Sequence, residues 1–283
     1  MTPLVTFAVL VAAVTHAGWN AIAHGIKDQL LSFTLISGGG ALLGLATALF
    51  VPLPAAGAWP YLATSALLHI GYYALLMRSF TLGDFGQMYP IARGTAPLVV
   101  TVLAAVFLHE VPGGWQLLGV AVACAGLTGL ALWGIRGKGA RPHWPALLAA
   151  GATGLSIALY TVVDGVGVRA SGTPLGYLAW LMILEGLAIP AYALHRHRAD
   201  LFPRLRPYAV RGLTGAALSV SAYALVLWAQ TKAPLAPVAA LRESSIIVGA
   251  AIGAVFFKER FGGPRVAAAG LMAVGIGLML RAG

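Results

Sequence analysis

Phe107-Leu108-His109-Glu110-Val111-Pro112-Gly113-Gly114, set over Phe256-Phe257-Lys258-Glu259-Arg260-Phe261-Gly262-Gly263, matches Phe, Glu and both glycines in register. The same offset places Arg93 on Arg242. A one-residue adjustment then places Tyr73-Ala74-Leu75 on Tyr223-Ala224-Leu225, and Gly25 stands more loosely opposite Gly165. Such self-similarity means that one unit occurs twice: a first copy over 1–134, a basic connection at 135–144 and a second copy over 145–283.

The stretches around these motifs are too apolar for a soluble chain. Of all residues 59% are hydrophobic and 9% charged, against roughly 25% charged in an ordinary soluble domain, and the mean hydropathy is +0.86. Crossing about 30 Å of hydrocarbon at 1.5 Å per residue takes roughly 20 apolar residues. Dividing the chain wherever charges or Pro/Gly clusters interrupt such runs gives ten spans: 3–24, 30–51, 58–80, 86–107, 114–134, 145–166, 174–194, 208–230, 235–257 and 263–281. Runs this long and continuous exclude barrel strands, so the expected fold is an all-α polytopic membrane protein. Each copy holds five spans. Because five is odd, the second copy enters the bilayer upside down, which makes two inverted five-helix repeats around a central cavity. The N-terminal run lacks the basic flank of a secretory signal and reads as the first span.

Polar residues within spans mark where that cavity lies. At helical spacing, His16, Trp19, Asn20 and His24 share one face of the first span, and His69, Tyr72, Tyr73 and Met77 one face of the third. Tyr89, Arg93 and Pro97 share a face of the fourth. The second copy offers Ser156, Tyr160 and Asp164, then Ser219, Tyr223 and Gln230, then Arg242 and Ser245 with Glu243 farther round and Ser244 beside it. Spans 1, 3, 4, 6, 8 and 9 are therefore expected to surround the cavity, with 2, 5, 7 and 10 as support; Glu185, in the seventh, has no role in this reading.

The whole chain resembles the drug/metabolite transporter superfamily, in particular its bacterial EamA branch of ten-span, two-repeat carriers. The likeness rests on the Trp19-Asn20 face, on Tyr89-Pro90-Ile91-Ala92-Arg93-Gly94-Thr95-Ala96-Pro97, and on the paired Phe-Xaa-Xaa-Glu-Xaa-Xaa-Gly-Gly ends. It implies an exporter of small metabolites in a bacterial-type cytoplasmic membrane. Within the branch the chain is similar to YddG-type exporters of aromatic and other neutral amino acids; family members also carry sugars, nucleotide-sugars and cationic drugs.

Arg93 and Arg242 admit two readings. A guanidinium near hydrocarbon costs roughly 3 kcal/mol and can grip a substrate carboxylate through two parallel hydrogen bonds, while Glu243 or the faces of Trp19, Tyr72 and Tyr160 hold an ammonium. Alternatively each Arg snorkels to the interface or bonds a neighbouring helix end. Glu243 reads first as the internal partner of Arg242 or Arg93, and otherwise as a proton-coupling carboxylate. His16, His24 and His69 read as neutral, carbonyl-bonded histidines before they read as proton carriers. The aromatic residues are a stacking wall or plain helix packing.

Other classes leave fainter traces. An intramembrane enzyme would need a catalytic signature, and no His-Glu-Xaa-Xaa-His, no Gly-Xaa-Ser-Xaa-Gly and no Cys/His cluster occurs; Ser244 and Ser245 beside Glu243 are a weak nucleophile arrangement. A cation exporter would need a cavity carboxylate free of arginine neighbours. Cys124 is the single cysteine, so no internal disulfide forms. The net charge of +10 lies in short gaps between spans without a nucleic-acid-binding pattern. The expected partners are a small-molecule substrate, above all an amino acid, and membrane lipid; no nucleic acid, cofactor or metal is expected, and the protein is expected to be monomeric.

Loop charges orient the bundle. Arg136, Lys138 and Arg141, then Arg196, Arg198, Arg204 and Arg206, then Lys258, Arg260 and Arg265 fall in alternate connections, whereas the others offer only Arg169 and Lys232. Basic short loops favour the cytoplasm, which puts both termini outside it, although the family resemblance implies cytoplasmic termini. A reporter that fluoresces only in the cytoplasm, fused after Gly283, is expected to stay dark; a bright signal reverses the orientation.

Overall fold

The computed structural model describes residues 1–82, 88, 92–93, 96–136, 144–256 and 263–281. The helices are α1 (Pro3–Gly25), α2 (Gln29–Ala48), α3 (Trp59–Leu82), α4 (Ala96–Leu108), α5 (Gly114–Arg136), α6 (Trp144–Ser171), α7 (Pro174–Gly186), α8 (Ala188–His197), α9 (Leu201–Leu205), α10 (Ala209–Gln230), α11 (Leu235–Arg242), α12 (Ser245–Phe256) and α13 (Gly263–Arg281). Among the described residues there is no strand. Among the described residues, four helical stretches are long and apolar enough to cross a membrane: 3–25, 29–48, 144–171 and 174–230. α3 is as long as these but less apolar, because His69, Tyr72 and Tyr73 interrupt it.

The bundle is apolar outside and polar within. Phe7 is 66% exposed and Phe50 87%, while Asp164 is 0% exposed and Glu185, Arg93 and Arg242 2% each. A soluble domain has the reverse arrangement; here the outer surface suits acyl chains, and the charges avoid them.

Two expected spans are broken. The seventh, read as continuous over 174–194, divides between α7 and α8 at Leu187. Pro190 is the cause, since it has no N–H for the Gly186 carbonyl and its ring crowds that turn. The ninth divides at Glu243-Ser244, where the backbone tightens: Glu243 N–H donates to the Ala240 carbonyl at 3.1 Å, Ser244 to Leu241 at 3.1 Å, Ile246 to Glu243 at 2.9 Å and Ile247 to Ser244 at 3.0 Å. These three-residue bonds make a short 3₁₀ stretch in mid-span, a geometry often found at functional hinges.

Helix pairing is specific in direction. α1 runs antiparallel to α10, with Val5 and Val9 in one cluster with Val226 and Ala229 and Gly18 near Leu218. α3 runs antiparallel to α6, with Tyr61 against Gly167 and the ring of His69 stacked on Tyr160. α2 is antiparallel to α7, as Gly44 meets Ala179 and Gly186 meets Ser37, and parallel to α10, as Leu35 meets Gly212 and Gly40 meets Val220. α5 and α13 cross antiparallel through Gly119 and Gly275. In lipid, small residues of this kind replace the hydrophobic effect as the basis of close packing.

Gly119 has no room for a side chain, because a Cβ there would lie 2.5 Å from the Gly275 carbonyl oxygen and 3.0 Å from the Met279 nitrogen. Gly119→Val is expected to destabilise the α5–α13 pair by about 1–3 kcal/mol, as overpacking does, and to lower the thermal midpoint in detergent; an unchanged midpoint contradicts this packing.

Candidate functional site

α1, α3, α6, α7 and α10 turn side chains into one small internal chamber. His16, Trp19, His69, Tyr72, Tyr73 and Tyr160 form most of its wall, and Met182, Glu185, Ser219 and Tyr223 complete it. The sequence predicts a central cavity. Instead the rings interlock: His69 stacks on Tyr160 at 3.9 Å, Tyr72 meets Tyr160 edge-on at 5.5 Å, and Trp19 meets Tyr73 at 6.5 Å. About 20 Å³ remains, room for a single water. Holding a solute therefore requires helices to move apart.

One wall is cationic. The Arg93 Nε donates to Glu243 Oε2 at 2.8 Å, and its Nη1 lies 2.9 Å from His16 Nε2. His16 in turn accepts from the Trp19 indole through Nδ1 at 3.2 Å, and Asn20 donates to the His16 carbonyl at 2.9 Å. A neutral imidazole accepts at only one of its ring nitrogens, so only one of these two N–H groups is hydrogen-bonded to His16 at a time. Arg242 is held more loosely: its Nη2 reaches Thr161 Oγ1 at 3.4 Å, and its Nε stands 3.8 Å from Glu243 Oε1 without a hydrogen bond. Both guanidiniums are buried, so neither snorkels to the interface; Arg93 is the structural partner of Glu243.

The opposite wall is acidic. Asp164 accepts hydrogen bonds from the hydroxyls of Tyr177, at 2.8 Å, and Tyr223, with Ser65 as a third hydroxyl partner. Glu185 is bonded to Tyr73, and its Oε2 lies 3.4 Å from His69 Nδ1. That ring nitrogen is also 3.0 Å from the Ser65 carbonyl and 3.1 Å from the Ser65 hydroxyl. The charge of Arg242 acts on Asp164 from the neighbouring layer, whereas Glu185 has no arginine or lysine among its described contacts.

Of the residues singled out in the sequence, His16, Trp19, His69, Tyr72, Tyr73, Tyr160 and Tyr223 line the chamber. Asn20, Arg93, Arg242 and Glu243 form the cationic layer against it, with Ser245 buried nearby in the chain and Ser244 half-buried. Ser156 is half-buried on α6 and has no described contact with the chamber. Tyr89 lies outside the described residues. The reading of the seventh span as mere support is wrong: α7 brings Glu185 and Met182 into the wall. The single available signal was the carboxylate itself in an apolar run, which membrane burial tolerates mainly at functional positions. Glu243 is engaged by Arg93, so no free carboxylate base stands beside Ser244.

A second polar knot closes one end of the bundle. Arg169, at the end of α6, donates from Nη1 to Glu110 Oε1 at 2.6 Å, from Nε to the Gln230 carbonyl at 2.9 Å and from Nη2 to the Ala233 carbonyl at 3.1 Å. Glu110 Oε2 accepts from the Leu235 N–H, the first of α11, at 2.8 Å. Beside it a cleft is lined by Arg169, Pro174, Trp228, Thr231 and Lys232.

A helical bundle with lipid-suited outside and charged interior is an integral membrane protein, and a polar chamber between its helices is the form a solute carrier takes. Residues 144–281, just under half of the chain, match the EamA-like transporter family, which places that part of the chain with the drug/metabolite transporter superfamily. A solved structure, described as the crystal structure of a protein, is similar over 99% of this chain and 96% of its own, with 17% identity and a TM-score of 0.69. At that identity the likeness concerns the fold. No curated protein matches the chain.

Removing Arg93 leaves Glu243 buried with only Arg242 at 3.8 Å. Arg93→Gln is expected to destabilise the protein by about 3 kcal/mol, the cost of breaking a buried pair, and Arg93→Gln combined with Glu243→Gln to recover part of it. Thermal unfolding in detergent reads both; a single variant as stable as wild type removes the pair from the structural account.

Proposed function

We propose that the protein is a ten-span secondary carrier or facilitator that exports small metabolites, amino acids foremost, by alternating access between two inverted repeats. The observation that carries the substrate reading is the polar make-up of the chamber: Glu185 and aromatic rings line it, Asp164 is bonded to Tyr223 of its wall, and the buried layer of Arg93, Arg242 and Glu243 meets it through His16. A zwitterion suits both ends. Its carboxylate meets the loosely held Arg242, which can offer two parallel N–H groups. Its ammonium meets the acidic wall and the ring faces of Tyr72 and Tyr160. Glu243, bonded to Arg93, is left out of that role.

The repeat reading is supported by pairing. α1 packs on α10 as α6 packs on α3, each antiparallel, so swapping the halves exchanges the two contacts; α2–α7 and α5–α13 map onto themselves. If successive spans of the first half alternate in direction, these pairings turn each span of the second half opposite to its counterpart in the first. That is the arrangement of inverted repeats, and it lets one half rock against the other. The Arg169–Glu110 knot then closes one side while the other opens.

A second reading, an exporter of cationic solutes, is favoured by Glu185, which faces the chamber without an arginine neighbour. Counterflow in proteoliposomes with labelled amino acids, sugars and cationic drugs separates the two. Neutral amino acids are expected to exchange, and Arg242→Gln to weaken that exchange about tenfold or more, the weight of a lost charge-assisted hydrogen bond. Exchange of cationic drugs alone, or amino-acid exchange untouched by Arg242→Gln, overturns the amino-acid reading.

A further inference from the structure

The acidic wall holds one carboxyl more than a zwitterion can answer. Asp164 and Glu185 are both buried there, at 0% and 2% exposure, and a substrate brings a single ammonium. An ionised carboxylate left without a cation inside a membrane bundle is costly, so a second positive charge must accompany the substrate into the closed chamber. The structure limits its source. The groups facing Glu185 from the packed helices are His69, Tyr72 and Tyr73 on α3, His16 on α1, Tyr160 and Asp164 on α6 and Tyr223 on α10. Arg242, whose charge acts on Asp164 and His69, stands in the adjoining layer with Arg93 and Glu243, and Tyr177 is bonded to Asp164. None of these on the acidic wall is a permanent cation, and the chamber is too small for a hydrated metal ion.

The two carboxyls also differ in their dress. Asp164 receives two hydroxyl donors, Tyr177 and Tyr223, which stabilise it as the anion. Glu185 has one hydroxyl, that of Tyr73, and an imidazole at 3.4 Å. His69 Nδ1 is already engaged by Ser65, through its carbonyl and its hydroxyl, so a proton arriving at this pair binds a Glu185 oxygen, which then becomes a donor.

We propose that Glu185, with His69, is a proton-binding site, and that one proton accompanies each zwitterion through the chamber: the substrate ammonium answers Asp164 and the proton answers Glu185. This rests on the amino-acid reading above. On loading, the Glu185 carboxylate takes a proton from water on one side of the membrane as an O–H bond; on unloading, that bond breaks and the proton returns to water on the other side.

The test uses proteoliposomes of the full-length protein with a pH-sensitive dye inside and a labelled neutral amino acid outside. Wild type is expected to acidify the lumen as the amino acid enters. Glu185→Gln, a neutral stand-in for the protonated carboxyl, is expected to lose the proton movement that accompanies each amino acid, so that lumenal acidification per amino acid taken up falls to background. Amino-acid entry without lumenal acidification, or with alkalinisation, overturns the proton site and leaves the carrier reading intact; absence of counterflow for every amino acid overturns both. Retained acidification in Glu185→Gln also overturns it. Should that variant fail to fold, Tyr73→Phe strips the one hydroxyl from Glu185 and is expected to shift the pH midpoint of counterflow, whereas Tyr177→Phe, on Asp164, leaves it in place; the opposite pattern overturns the assignment.

Discussion

Hydrocarbon supplies neither water nor counter-ions, so every charge carried into this bundle has to be answered by another part of the same chain. That constraint organises the interior. Arg93 reaches Glu243, placed 150 positions later in the chain, and the contact joins the fourth and ninth spans, from opposite halves. Asp164 gathers tyrosines from α7 and α10. The polar groups that make the protein useful are thus also the ones that specify which helices meet, because lipid tails give apolar faces no preference for one another.

Much of this was legible in the sequence. Hydrophobic length marks most of the spans to within a few residues, since a membrane fixes how long a spanning helix must be. His16, Trp19, His69, Tyr72, Tyr73 and Tyr160 could be placed on inward faces by helical spacing alone. What spacing could not supply is tertiary. Glu185 stands alone in its run, with no polar companions to form a stripe, so periodicity gave it no face; only the packing of α7 on α2 and α3 turns it inward. The breaks at Leu187 and Glu243-Ser244 were also hidden, because a hydropathy count does not register a lost backbone bond. Nor can composition report how far the aromatic rings close on one another.

The ninth span shows how local and global demands meet. Its Arg-Glu-Ser-Ser run would be a poor helix centre in lipid, and the chain responds with 3₁₀ bonds that turn Glu243 toward Arg93 and Arg242 toward α6. A tightened turn holds its shape with weaker hydrogen bonds than an α-helix. The segment best supplied with charge is therefore also one whose backbone changes conformation at low cost, which is where a moving carrier needs compliance.

The Arg169–Glu110 knot has a kinetic meaning. One guanidinium and one carboxylate bind the ends of α4, α6 and α10 and the start of α11 together. Loosening any one of these helices strands hydrogen-bonding groups on the other three, so partial separation gains little and the four release as a unit. A rim built this way is either shut or open, with few half-open states through which ions or water would leak down their gradients.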